Sequence, residues 1–298
     1  MLDSAIAKQN TANKKENLDR LVEALAYPNS DGNEVTGAND AQAINDIKSI
    51  YADGTNEKMD QVLNDLDRIR GSIASAKEEL NKIPEEYKTA FRETEGSDPV
   101  NLIEELRKSN EVEEFANLMQ KINAAKEKYK EKRKLEIDQI PNLTETNKNK
   151  FKDLINAADN YLNVDSIVEN AKIEANKDLL KTIIIVSDYV DEGSSRTPEV
   201  VSLIERSINS ISNSIDNTPS TDLNRKEEEL RNLKTKLNEL KNSINSLNDQ
   251  EAKNELFKIL ATKTDVAGVE SVKLDIKKEE LRKKAKELGY PGKKFNKQ

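Results

Sequence analysis

The stretch FKDLINAADNYLNVDSIV, residues 151–168, carries Phe151, Ile155, Tyr161, Val164, Ile167 and Val168 at steps of four, six, three, three and one, with polar residues in nearly every gap. Steps of three and four return side chains to one face of an α-helix, so the stretch predicts helix with a buried stripe. The same ladder occurs at Leu102, Leu106, Val112, Phe115, Leu118 and Met119, and again at Leu256, Leu260, Val266, Val269 and Val272, where Lys273 breaks it. Anchored at Leu106, Ile155 and Leu260, the copies lie 49 and 105 residues apart, the second interval close to twice the first. Degenerate copies are expected near Ile208 and near Ile50, the latter with Met59, Val62 and Leu63 in place but Asn56 where an apolar residue belongs. A repeat of about 50 residues predicts a modular binding or spacer protein rather than a single-site enzyme.

Composition points the same way. The 298 residues are 35% apolar and 35% charged, which leaves little material for large globular cores and suits long thin bundles. With five Phe, seven Tyr and no Trp, the cores must be built from Leu, Ile, Val and Ala. Nine Gly and seven Pro are too few for the many tight turns of a sandwich or barrel. The expected fold is all-α, an elongated tandem array of three-helix bundles with long, partly coiled-coil-like helices.

Cysteine and histidine are both absent. That excludes a thiolate nucleophile, a disulfide framework, a Cys/His zinc site and a Ser/His/Asp triad. No Gly-rich phosphate loop, GxSxG elbow, HExxH pair or EF-hand loop is present, and the Asp and Glu residues read as solvated helix faces. Neither an enzyme nor a cofactor is expected. The formal net charge of −8 opposes binding to a phosphate backbone, so nucleic acid is not expected as a partner. Residues 277–298 are locally basic, with nine Lys/Arg against three Glu; a solvated helix end is the simpler reading, a polyanion or membrane contact the sharper one.

The N-terminal sequence MLDSAIAKQNTANKKENLDR has no basic start followed by an apolar run, and no stretch approaches 18 apolar residues. The lack of cysteine is compatible with the cytosol and with a surface protein free of disulfides. A piece of a longer exported bacterial protein is the favoured expectation over a cytosolic one. The chain starts and ends inside helical patterns without clear caps, and a signal or anchor segment is expected to lie outside it.

Along the chain, Ile6, Leu18, Leu21, Val22 and Leu25 predict a helix that stops at Tyr27-Pro28, and 29–39 reads as a surface loop. Helices are expected over 41–52 and 56–83, the second with Met59, Val62, Leu63, Leu66, Ile69, Ile73, Ala76 and Leu80 as its stripe. A short helix over 85–92 and a turn at 95–99 follow, Asp98 serving as an N-cap ahead of Pro99. Helices are then expected up to Ile140 and over 175–190, and from Pro198 with Val200, Val201, Leu203, Ile204, Ile208, Ile211 and Ile215 on the buried side. Leu223, Leu230, Leu237 and Ile244, with Leu233, Leu240 and Leu247, form a heptad seam that fits an intramolecular bundle better than a dimeric coiled coil, so a monomer is expected. The expected domains are an N-terminal bundle at 1–83, a degenerate module at 84–140, a three-helix module at 141–190, and a helical region at 191–298 containing the heptads of 223–247 and a degenerate module at 250–288.

From Ile140 to Lys172 the sequence resembles the GA module, the protein G-related albumin-binding module of bacterial surface proteins. Pro141, Asn142, Leu143 and Thr144 match the entry of that pattern, Ile155, Asn156 and Ala158 its middle, and Val164, Ile167, Val168, Ala171 and Lys172 its end. The resemblance implies a three-helix fold whose second helix and the start of the third bind serum albumin in some members. Carried over, that protein-binding surface comprises Phe151, Leu154, Ile155, Asn156, Asn160, Tyr161, Leu162 and Asn163. Two departures stand out. Where albumin binders place aromatic and small apolar residues early in the second helix, this chain has Asn147, Lys148, Asn149 and Lys150, which are costly to desolvate. Phe151, Ile155 and Tyr161 fit a core better than a contact, and Leu162, next to a core position, should point outward.

The expected function is therefore a segment of a bacterial cell-surface or secreted protein that binds a host serum or extracellular-matrix protein, with albumin as the type ligand, or mediates host adhesion. A non-binding spacer or rod of a surface protein and an intracellular coiled-coil scaffold are the alternatives.

Overall fold

The structure, a computed structural model, describes residues 2–33 and 40–288. Its helices are α1 (Leu2–Glu23), α2 (Gln42–Ile50), α3 (Asn56–Leu80), α4 (Glu85–Thr89), α5 (Leu102–Lys108), α6 (Val112–Gln139), α7 (Glu145–Ala157), α8 (Tyr161–Lys181), α9 (Val186–Tyr189), α10 (Pro198–Asp216), α11 (Leu223–Asn245), α12 (Gln250–Ala261) and α13 (Val266–Glu287). Among the described residues there is no strand, only one antiparallel bridge between Phe91 and Val100. The fold is all-α. The loop expected over 29–39 lies partly outside the described residues, as does the end of the basic segment beyond Leu288.

Two compact units divide the chain: Met1–Gln139 with Asn149–Glu169, and Ile140–Lys148 with Asn170–Gln298. In the first, α3 packs on α1 and α6, and α5 packs on α6 and α2. Met59, Val62, Leu66, Ile69, Ile73, Ala76 and Leu80 of α3 are buried at alternating steps of three and four. Leu63 falls beside that seam and is 45% exposed, so it is not part of the stripe. Ile6 and Leu21 of α1 are likewise exposed, while Leu18, Val22 and Leu25 enter the core. At Gly32 φ is +83°, a left-handed conformation that favours glycine, and the Ile103 Cδ1 methyl lies where a Cβ would stand.

In the second unit α11 packs on α9, α12 and α13. Its heptad residues Leu223, Leu230, Leu233, Leu237, Leu240 and Ile244 are buried together with Ile211, Ile215, Leu256, Leu260, Val269 and Val272. The seam is filled from within the chain.

The ladder has a structural meaning that differs from a single helix. Its six-residue step contains the turn between two helices each time, from Leu106 on α5 to Val112 on α6, from Ile155 on α7 to Tyr161 on α8, and from Leu260 on α12 to Val266 on α13. Val112, Tyr161 and Val266 each head the second helix. Two of these starts share one cap: the Asn160 side-chain oxygen accepts from the Asn163 N–H at 2.9 Å, and Asp265 Oδ1 accepts from the Gly268 N–H at 2.7 Å. At α6 the reverse arm is used, with Glu114 Oε2 accepting from the N–H groups of Asn110 and Glu111 at 2.7 and 3.1 Å.

Three local expectations are corrected. Pro99 lies outside any helix, and α5 starts at Leu102 with Asn101 as its cap, accepting from the N–H groups of Ile103 and Glu104. The helix expected over 175–190 is broken, because α8 closes at Lys181 with the N–H groups of Thr182 and Ile183 donating to the carbonyls of Leu179 and Leu180, and Ile184 buries itself in the turn. No glycine or proline announces that stop. On α10 Ser207 is fully enclosed, its hydroxyl donating to the Ala261 carbonyl at 2.7 Å, while Ile208 is half-buried against the same core.

Candidate protein-binding face

Helix α6 ends before Pro141, and Asn142 adopts φ +63°, a left-handed conformation that asparagine tolerates better than most side chains. The chain thereby turns into α7, where Thr144 Oγ1 accepts from the Asn147 N–H and the Asp178 carboxylate accepts from the Asn147 side-chain amide at 2.9 Å. That asparagine, one of the polar residues early in α7, is thus engaged in holding the helix start.

Within the first unit the end of α7 is fastened to α6 by two lysines. Lys130 Nζ donates to the Asn156 carbonyl at 3.0 Å, and Lys134 Nζ donates to Asn156 Oδ1 at 3.0 Å. The start of α8 is held by Asp165, which accepts from Arg133 Nη2 at 2.7 Å and from the Tyr129 hydroxyl. Burial and the bond to that carboxylate both raise the Tyr129 pKa. Tyr129 also meets Tyr87 edge to face, with ring centroids 5.5 Å apart.

The turn between α7 and α8 is bound to the end of α3. The Tyr161 N–H donates to the Lys82 carbonyl at 2.9 Å. Asp159 lies 3.2 Å from Lys82 Nζ and 3.6 Å from Lys126 Nζ, while Glu79 accepts from both lysines at 2.7 Å. The hydrogen bond from Lys82 holds the Asp159 carboxyl below its ordinary range, those from Lys126 and Lys82 do the same for Glu79, and the bonds to Glu79 and Asp159 raise Lys82.

The eight candidate contact residues therefore divide. Phe151 and Ile155 are buried, and Tyr161 and Asn160 are half-buried, the latter as the cap of α8. Asn156, though exposed, is held by both lysines of α6. Leu154, Leu162 and Asn163 are exposed, with Leu154 at 44% and Leu162 at 63%. Leu135 on α6, also 63% exposed, is an apolar surface residue that the sequence reading passed over because it sits in a Lys/Glu-rich run without a second apolar residue in register.

Residues 120–177 match the family model of the GA module. By that similarity they form a GA-type segment. The match takes in the C-terminal part of α6, all of α7 and most of α8, and agrees with the resemblance carried by the Pro141–Thr144 entry and the end at Lys172. No curated protein and no solved structure matches the chain. The GA module is a binding-module family of bacterial surface proteins, and among the described residues no helix is long and apolar enough to cross a membrane.

Proposed function

We propose that the GA-type segment binds a host serum protein of the albumin type, as part of a bacterial cell-surface or secreted protein, through Leu154, Leu162 and Asn163. The observation that carries this reading is the pair of exposed leucines on α7 and α8 within the matched residues, since neither is needed by a core that Phe151, Ile155, Val164 and Val168 already fill. The test is a titration of the whole chain with human serum albumin, alongside immunoglobulin and matrix proteins, with Leu162→Glu as control. Micromolar or tighter binding that Leu162→Glu abolishes supports the reading; no binding to any of them overturns it.

A spacer without a ligand is the second reading, and the turn of residues 158–161 favours it. A turn already bonded to Lys82 and Lys126 presents less free surface to a partner than the GA resemblance implies. The tandem-array architecture, the division into modules at 1–83, 84–140, 141–190 and 191–298, and a monomeric state belong to either reading as proposals.

A further inference from the structure

Helix α13 carries apolar residues on two opposite sides. Val269, Val272 and Ile276 are buried in the second unit's core, whereas Leu274, Leu281 and Leu288 are 61%, 58% and 74% exposed. At about 100° per residue the three exposed leucines, seven apart, fall within an arc of about 40° on the side away from that core. Ala285, half-buried, lies about 20° outside that arc, and Lys277, Lys278, Arg282 and Lys284 flank the arc within about 80° on either side. Glu279 and Glu287 fall on the opposite half of the helix, and Glu280 lies as far from the row as Arg282 does, on the other side. Four of the six basic residues of 277–288 therefore border the leucine row, while Lys283 and Lys286 fall on the far half of the helix with Glu279 and Glu287.

We infer that this face of α13 docks on an anionic lipid surface. A single leucine row with cationic borders is what such a surface takes up: the leucines enter the headgroup–acyl boundary and the lysine and arginine stems reach back to lipid phosphates. A second copy of the chain fits worse. A two-helix seam needs apolar residues three or four positions from each leucine, and here those positions hold Lys277, Lys278 and Lys284, with Ala285 the one apolar residue between Leu274 and Leu288, so like charges would be brought together. The face is local in a chain of net charge −8, and Lys278 and Arg282 also pair along the helix with Asp275 and Glu279, so binding should be salt-sensitive and confined to this helix.

The experiment is co-sedimentation of the full chain with vesicles of phosphatidylcholine alone and of phosphatidylcholine with phosphatidylglycerol, at low and high salt. Two variants are compared with the parent, one with Leu274, Leu281 and Leu288 changed to serine and one with Lys277 and Lys284 changed to glutamine. Circular dichroism checks that each is folded. Expected is binding to the anionic vesicles only, reduced at least tenfold by high salt and by either variant. Binding that ignores lipid charge, no binding, equal affinity for soluble polyglutamate, or a dimer that the serine variant dissociates would each overturn the inference.

Discussion

The N–H of Tyr161, first residue of α8, donates to the carbonyl of Lys82 just beyond the end of α3, at 2.9 Å. A turn of the GA-type segment is thereby joined, main chain to main chain, to a helix outside the matched residues. Around this bond Lys82 and Lys126 sit between Glu79 and Asp159.

This charge cluster should show in the pH dependence of stability. Folding lowers the pKa of Asp159 and Glu79, so their contribution is complete above the ordinary carboxylate range of about 4 and is lost as pH falls through the lowered values. Folding raises Lys82, whose contribution is complete below the usual lysine value of about 10.4 and is lost only as pH rises through the raised one. Asp159→Asn is expected to lower the melting temperature equally at pH 6 and pH 8, with the difference from the parent shrinking as pH drops below about 4. Thermal melts across that range check it. A difference that persists undiminished in strong acid would show that Asp159 acts by something other than its charge.

Much of this fold was legible because the apolar periodicity in the sequence is regular. Most residues of the α3 stripe, the α11 heptads and the three ladders are buried; Met119, Tyr161, Ile167, Leu247 and Val266 are half-buried, and Leu63 and Val112 are exposed. What periodicity missed was punctuation. The break after Lys181 has no Gly or Pro, and Ile183 to Val186 are apolar whether the chain is helical or turning, so the pattern runs through the stop unchanged. Asp98 and Asn101 are equivalent caps by residue type and Pro99 favoured the first, but the Phe91–Val100 bridge holds that segment extended. At the candidate face, the buried Phe151 and Ile155 and the exposed Leu162 followed from spacing alone. The fastening of Asn156 by Lys130 and Lys134 did not, because it depends on how α6 lies beside α7.

Core and surface should separate in paired variants of the GA-type segment. Ile155 is fully buried, and Ile155→Ala is expected to cost about 2–5 kcal/mol for lost burial and the cavity left behind. Leu162 is 63% exposed, and Leu162→Glu should change stability by no more than about 0.5 kcal/mol. Urea denaturation measures both. A large loss with Leu162→Glu would mean that this leucine packs against something in solution, and its use as a binding control would fail.

The heptads of α11 offer a test of assembly. Leu237 is fully buried among residues of its own chain, so Leu237→Ala should destabilise the protein by about 2–5 kcal/mol without altering its sedimentation coefficient. The parent should sediment as a monomer, with a melting temperature independent of protein concentration. A parent dimer that Leu237→Ala converts to monomer would place the seam between chains instead.

Arg107 on α5 is a buried cation, 7% exposed at its side chain, that joins separated parts of the first unit. Nη1 donates to the Pro28 carbonyl and Nη2 to Asp40 Oδ1, both at 2.7 Å, while Nε lies 3.3 Å from the Glu104 carboxylate. The bond from Arg107 holds the Asp40 carboxyl below its ordinary range. Arg107→Met keeps much of the packing volume but strips the Pro28 carbonyl of this donor, and should cost about 1–3 kcal/mol. Arg107→Lys should recover little of it, because one ammonium on a flexible stem cannot reproduce the two donors of a planar fork aimed at separate acceptors. Hydrogen exchange gives the local readout: the Gly32 amide, bonded to the Asn29 carbonyl at 2.9 Å, should exchange faster in both variants. Full rescue by lysine would reduce the role of Arg107 to its positive charge, and the geometry of its two bonds would then be incidental to the stability of the unit.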